Sequence, residues 1–184
     1  LDEGRVPLAL DAARLGMAAS DRSGGRSARV ESRLRLSEAY LELGGHEDAR
    51  RLLDEVRDVI HLDRRTQAWV WVLLSRVEIA RGGLSEARQY LESAVASFEG
   101  TRDRLGLIRS NRYLGQVCRL EGRPAEAANH YARMIRLEPK DPRIRVEALR
   151  GLVEARVVGG RVEGIDSHVH ALRSAALESG DTRH

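Results

Sequence analysis

The sequence has 184 residues, a length that suits one domain or a short array of repeats. Hydrophobic residues make up 42% of it but aromatic residues only 4%, so its core must be aliphatic and rich in alanine, which favours close-packed helices over sheets. The formal net charge of +3 is too small to indicate nucleic-acid binding by itself, and the single cysteine, Cys118, excludes a disulfide framework.

The apolar pattern predicts neither a membrane span nor a secretory leader. No run of 18 apolar residues occurs, and the opening LDEGRVPLAL lacks a signal-peptide pattern. We therefore expect a cytoplasmic protein. Because the sequence does not open on methionine, we also expect the natural protein to be longer.

Apolar residues at helical spacing predict nine helices. In chain order these cover residues 5–20, 27–43, 46–60, 65–81, 84–98, 103–121, 124–137, 142–158 and 161–178. A glycine-containing turn recurs as GRVPLA, GGHEDA, GGLSEA, GRPAEA and GRVEGI, ending at Ala9, Ala49, Ala87, Ala127 and Ile165, which lie 38 to 40 residues apart. This spacing predicts a repeated helix pair in which the glycine is a left-handed C-cap of the first helix.

The repeated unit resembles the tetratricopeptide repeat, an antiparallel helix pair whose small residues lie where the helices cross. The positions that carry the resemblance are Gly44, Ala49, Trp71, Gly82, Ala87, Gly115, Gly122, Ala127, Tyr131 and Pro139. The period here is longer than the family's usual 34 residues. Similar stretched repeats are found in the sensor arms of bacterial transcription activators of the maltose-activator and LuxR-like types.

The resemblance implies an all-α fold, a right-handed superhelical α-solenoid of about nine helices. It would be a single domain over residues 1–184, with the second helix of a truncated repeat at 1–24 and repeats at about 27–63, 65–101, 103–140 and 142–180. The first segment is apolar nearly all round, at Val6, Leu8, Ala9, Leu10 and Leu15 among others. We expect an upstream segment or a second copy of the chain, as a homodimer, to cover it.

The family's geometry places certain first-helix positions in a concave groove. Carried over to this sequence, the groove residues are Glu31, Arg35, Glu38, Trp69, Arg76, Arg109, Arg112, Gln116, Arg119, Arg150 and Glu154. Arginines one turn apart can converge on a carboxylate, and Trp69 would be a flat anchor. The set predicts a groove that is acidic at one end and basic at the other, for an extended, partly acidic peptide. A solvated charged face is the alternative.

No set of residues predicts catalysis, a cofactor or a metal site, so we predict a protein that is not an enzyme. Cys118 falls inside a helix pair and is expected to be a small buried hydrophobe. His168 and His170 are two residues apart on a predicted helix and therefore point in different directions. His46 and His130 are expected on the surface. The Gly-rich RSGGRS at residues 22–27 lacks the Lys-Ser/Thr of a phosphate loop.

The leading interpretation is a protein–protein interaction module, the repeat arm of a larger bacterial regulatory protein in transcription regulation or signal transduction. Its partner would be a protein, a peptide or another domain of the same chain, and not a membrane. The alternative is an RNA- or DNA-binding helical-repeat module that uses the arginine-rich third repeat. Against this alternative, acidic residues nearly cancel the arginines, and aromatic residues for base stacking are few.

Overall fold

The computed structural model describes residues 5–58, 62–161 and 163–180. Over these ranges the chain is helical and without strands, which confirms the predicted all-α fold. The helices are α1 (Arg5–Ser23), α2 (Arg26–Glu42), α3 (His46–Arg57), α4 (Arg64–Arg81), α5 (Leu84–Thr101), α6 (Arg104–Leu120), α7 (Pro124–Leu137), α8 (Pro142–Val158) and α9 (Ile165–Ser179). Only α9 begins clearly later than predicted, because Gly160 and Gly164 both take left-handed conformations before it.

Each helix packs against the next one in the chain, and α2, α4, α6 and α8 also contact one another in that order. This nearest-neighbour pattern is that of a helical-repeat solenoid. The core is accordingly divided among clusters strung along the stack, the largest around Ala87, Leu91 and Phe98. The four helices α2, α4, α6 and α8 are the first helices of the pairs, and they form one continuous surface that we call the first-helix face.

A left-handed glycine follows the first helix of each pair. Gly44, Gly82, Gly122 and Gly160 have φ angles of 75°, 81°, 71° and 67°. The residue after each of these glycines donates its N–H to the carbonyl five positions earlier, at 2.8 to 2.9 Å. The turn therefore pairs carbonyls that the helix end would otherwise leave without donors.

Aspartates begin the first helices, a signal that sequence reasoning missed. Asp63, Asp103 and Asp141 are the N-caps of α4, α6 and α8, and each accepts a hydrogen bond from the backbone N–H three residues on, at 2.9, 2.9 and 3.3 Å. They recur at the repeat spacing, so an aspartate before each helical pattern could have located these starts. The corresponding residue before α2 is Gly25, which offers no side-chain cap.

Small residues occupy the places where helices cross. Ala49, Ala87 and Ala127 are completely buried. Within the first helices, four further small residues are buried at a similar spacing: Ser37, Ser75, Gly115 and Gly151. The two serine hydroxyls donate to carbonyls of their own helices at 2.8 and 2.7 Å, so burial leaves neither hydroxyl unpaired.

Tyr131 shows how tight these crossings are. Its ring on α7 lies between Gly115 of α6 and Gly151 of α8, and a Cβ added at either glycine would come within 2.7 and 2.6 Å of ring atoms. Phe98 of α5 lies against Gly106 of α6 in the same way, at 2.5 Å from such a Cβ. Each aromatic ring therefore fills a notch that only glycine leaves open.

Helix α1 packs on α2 and leaves apolar side chains exposed, including Leu15 at 72%. The side chains of Val6, Leu8 and Ala9, which contribute to the predicted apolar surface, lie outside the described part. The covering of this surface by another copy or by further chain stays a prediction.

Replacing helical glycines by alanine is expected to change stability in opposite directions at two sites. Gly115→Ala should lower the free energy of unfolding by about 1–3 kcal/mol, because Tyr131 is blocked by Gly151 and cannot retreat. Gly16→Ala, in α1 with nothing within 4 Å of the added carbon, should raise it by roughly 0.5–1 kcal/mol through helix propensity. Urea unfolding of both variants measures the changes in the free energy of unfolding. A stabilising Gly115→Ala would contradict the packing described.

The crossing alanines give a second test within a single helix. Ala87→Leu should destabilise by about 1–3 kcal/mol, because the side chain of Ala87 is fully enclosed. Ala96→Leu, at an exposed position of the same helix α5, serves as the matched control and should change stability by less than about 0.5 kcal/mol. Equal losses for the two variants in thermal unfolding would refute the assignment of Ala87 to a crossing.

Candidate protein-interaction face

The predicted groove residues lie together on the first-helix face, but their charges are paired across helices. Arg76 of α4 bonds Glu42 of α2 at 2.7 Å, and Arg109 of α6 reaches Glu38 of α2. On the other side of α6, ion pairs join Arg112 to Glu147 and Arg119 to Glu154 of α8, the latter at 3.9 Å. The arginines of α4 and α6 thus stand between glutamates on both flanks, and the face is not divided into an acidic and a basic end as the sequence suggested.

Aromatic rings hold three of these guanidinium groups in place. Arg109 lies over the ring of Trp69 at 5.5 Å, and Trp69 meets Phe98 edge-on with centroids 5.2 Å apart. Arg76 and Arg112 both lie over the ring of Tyr113, at 5.6 and 5.4 Å. Cation–π contacts of this kind favour one orientation of each guanidinium group. The centre of the face is therefore ordered in advance of any partner.

The other predicted groove residues occupy the margins of this ordered centre. Glu31 and Arg35 pair with each other along α2 at 2.5 Å. Gln116 is half-buried on α6, and Arg150 is exposed on α8. These residues share the first helices with the ion pairs, and Glu31 also lines a pocket between α2 and α4.

A pocket opens on the face where α2 and α4 diverge. It has a volume of about 480 Å³, and its lining combines the apolar side chains of Val30, Leu34, Leu62 and Trp69 with polar and charged ones that include Glu31, Asp63 and Arg65. Sequence reasoning found Trp69 and Glu31 but missed Val30 and Leu34. Both are apolar residues of α2, a helix from which the family's geometry carried over only Glu31, Arg35 and Glu38. The pocket is large enough for a bulky apolar side chain beside the stacked arginines.

Reactive side chains do not form a catalytic arrangement in the described part of the chain. Cys118 is completely buried, and burial raises the pKa of its thiol although Arg88 lies 3.5 Å from the sulfur. His168 meets the carbonyl of Gly164 at 3.0 Å. Among the described residues, no group of three or more His, Cys, Asp or Glu side chains could hold a metal ion. No described helix is long and apolar enough to span a bilayer.

Two histidines differ from the sequence expectation of surface positions. His130 is half-buried, and its Nδ1 lies 3.0 Å from Oδ1 of Asn111, whose amide donates to the carbonyl of Leu107 at 2.7 Å. Burial and the neighbouring Arg88 and Arg133 lower the pKa of His130. His46 is also half-buried, because it begins α3 in the turn against α2. Both lie between helices. The amphipathic pattern of a single helix does not predict burial by a neighbouring helix.

Comparisons with known proteins identify the repeat. Residues 66–137 match the sequence model of the tetratricopeptide repeat. No curated protein matches the sequence significantly. Among solved structures, a kinesin light chain-like protein of Podosopora anserina, described as having nearly identical TPR-like repeats, is 19% identical with a TM-score of 0.68, over 100% of this chain and 92% of that one. MamA is 22% identical with a TM-score of 0.59, over 99% and 95%.

The cap of α6, the helix that carries Arg109, Arg112 and Arg119, predicts a pH-dependent stability. Burial would raise the pKa of Asp103, but hydrogen bonds from the Gly106 N–H and from Arg65 outweigh it, and the pKa is lowered overall. A lowered folded-state pKa gives stability that is present above the unfolded pKa of about 3.9 and is lost as pH falls through the folded value. Asp103→Asn should therefore cost roughly 1 kcal/mol at neutral pH, with the difference from wild type shrinking below pH ~4.

Urea unfolding at neutral and acidic pH measures the difference in unfolding free energy between Asp103→Asn and the wild type. Asp58→Asn, at an exposed position, is the control. A difference for Asp103→Asn that stays constant across the acidic range would contradict the role given to the carboxylate.

Proposed function

Because the helices stack as a repeat solenoid and residues 66–137 match the tetratricopeptide repeat, we propose that the chain is a protein–protein interaction module that binds an extended segment of a partner on its first-helix face. The observation that carries the proposal is the adjacency of a set of stacked arginines and a pocket whose lining includes Val30, Leu34 and Trp69. Trp69 belongs to both, since it lines the pocket and lies under Arg109. Buried aromatic anchors beside arginines are typical of the places where interfaces concentrate their binding energy.

The ion pairs of the face suit exchange with a partner's acidic residues. Arg76 is mostly enclosed, with 14% of its side chain exposed, whereas its partner Glu42 is 62% exposed. The arginine is thus held by packing and the glutamate is the mobile member. Exposed ion pairs contribute only about 0–1 kcal/mol, so a carboxylate from a partner can replace Glu42 at little cost.

The order of charges across the face indicates the chemistry of the partner. Glutamates of α2 and α8 flank the arginines of α4 and α6. Neighbouring helices lie about 8–10 Å apart, which an extended peptide spans in about three residues. A segment that crosses the face would therefore carry acidic residues at its centre, basic residues towards its ends and an apolar side chain for the Trp69 pocket.

The wider setting is a proposal of the same kind. A repeat arm of a larger regulatory or signalling protein is supported by the 38- to 40-residue period, which resembles that of bacterial activator arms. The nucleic-acid alternative has lost its main support, because Arg109, Arg112 and Arg119 each face a glutamate and so present little net positive charge.

A displayed library of random peptides, selected against the whole chain, tests the proposal. We expect selected peptides to be enriched in central acidic residues and one large apolar residue. Their affinity, measured by fluorescence anisotropy, should fall about tenfold or more in Trp69→Ala and in Arg109→Ala.

Arg136→Ala, at an exposed position on α7 away from this face, is the matched control and should bind as the wild type does. Selected peptides that bind both groove variants as tightly as the wild type would refute the first-helix face as the binding surface.

A further inference from the structure

A second cleft lies away from the first-helix face. It has a volume of about 820 Å³ and lies between the first turns of α7 and the end of α8 with its following turn. Its charged lining residues are Arg123, Arg156, Arg161, Glu126 and Glu163. No residue of the proposed peptide site lines it, so the two surfaces are separate.

The repeat geometry shows which side chains are expected at this place. Where the second helix of one pair meets the first helix of the next, four positions face one another. At the first such junction they are Glu47, Arg50, Glu78 and Arg81, which form two ion pairs, Arg50 with Glu78 and Arg81 with Glu47. Counted from the left-handed glycines, the same positions at the second junction are Ser85, Arg88, Cys118 and Glu121. There Arg88 reaches both Glu121 and the sulfur of Cys118.

At the third junction the four positions are Ala125, Ala128, Arg156 and Gly159, and all four line the cleft. Small residues stand where the first junction has Glu47, Arg50 and Arg81, so the volume that side chains fill elsewhere is open here. The position of Glu78 is taken by Arg156, which reverses the charge. Arg156 donates to the backbone carbonyl of Glu163 at 3.4 Å and has no carboxylate partner among the described residues.

The remaining charges leave the cleft with a surplus of guanidinium groups. Arg123 is engaged by Glu126 at 2.6 Å and by Glu121 at 3.4 Å, so the carboxylate of Glu126 is already shared. Arg156 and the exposed Arg161 face one exposed acid, Glu163. Each guanidinium group presents the paired donors that bind carboxylates bidentately.

We infer that this cleft is a binding site for an acidic segment of a partner protein, whose carboxylate meets Arg156 in the space that the side chains of Arg50 and Arg88 fill at the first two junctions. Charge complementarity indicates this occupant. Ala128 stands at the position of Arg50 and is too small to fill the cleft, and Arg156 stands at the position of Glu78 and places a positive charge there. A carboxylate from outside would complete the junction. The segment would bind across α7 and α8 and leave the first-helix face available to another partner.

The test uses a fluorescein-labelled hexaglutamate peptide, with hexaglutamine as the uncharged control, titrated by anisotropy into the whole chain at low salt. We expect saturable binding of hexaglutamate alone, which weakens at high salt as screening requires. Arg156→Gln should weaken it about tenfold, since hydrogen bonds to a charged group are lost. The double variant Ala128→Arg with Arg156→Glu rebuilds the pair of the first junction and should abolish binding.

Arg173→Gln, at an exposed position on α9, is the matched control and should bind normally. Circular dichroism reports whether the double variant folds; if it does not, Arg156→Gln combined with Arg161→Gln decides. Absence of hexaglutamate binding to the wild type, or normal binding by the Arg156 variants, overturns the proposal. Binding that is lost in Arg112→Gln and kept in Arg156→Gln overturns it too, but that result would place the peptide on the first-helix face and leave the proposed function standing.

Discussion

The whole molecule depends on how closely neighbouring helix backbones approach at their crossings. Where Tyr131 lies between Gly115 and Gly151, three successive helices meet around one ring. Phe98 against Gly106 does the same one repeat earlier, and Ala87 and Ala127 keep the helices of each pair close. A larger side chain at any of these positions would push two helices apart and tilt every unit beyond it, because each unit is oriented only by its neighbour.

That regular stacking is what aligns the first helices and lets distant parts of the chain meet. Glu38 and Arg109 are 71 residues apart and still form an ion pair, since α2 and α6 both flank α4 on the same face. The surface that results is a lattice of paired charges stiffened by aromatic rings. A partner of this surface competes with internal glutamates, so selectivity arises from the arrangement of charges and not from net attraction.

The sequence predicted the fold closely because the features that specify it are local. Turn glycines, apolar residues at helical spacing and buried alanines each act within one helix pair, and they recur from unit to unit, with Ile165 in place of the alanine in the last unit. The charge pattern of the candidate face escaped prediction for the opposite reason. Glu42 and Glu147, which pair with Arg76 and Arg112, belong to neighbouring repeats, and the apolar spacing within one helix pair does not show which charged residues of different repeats meet. The cleft beside α7 was invisible in the same way, since it arises from side chains that are small where other repeats have long ones.

One consequence follows from the identity of the cations in this lattice. Lys140 is the single lysine of the chain, so every basic member of the ion pairs that cross the first-helix face is an arginine. Guanidinium groups keep their proton at any pH at which proteins fold, and they lack the amine that acylating enzymes modify. The arginines of the face therefore keep their positive charge as the pH falls to the range in which carboxylates titrate. They also keep it where acetylation would remove the charge of a lysine. Ionic strength, together with the partner itself, remains the variable that loosens it.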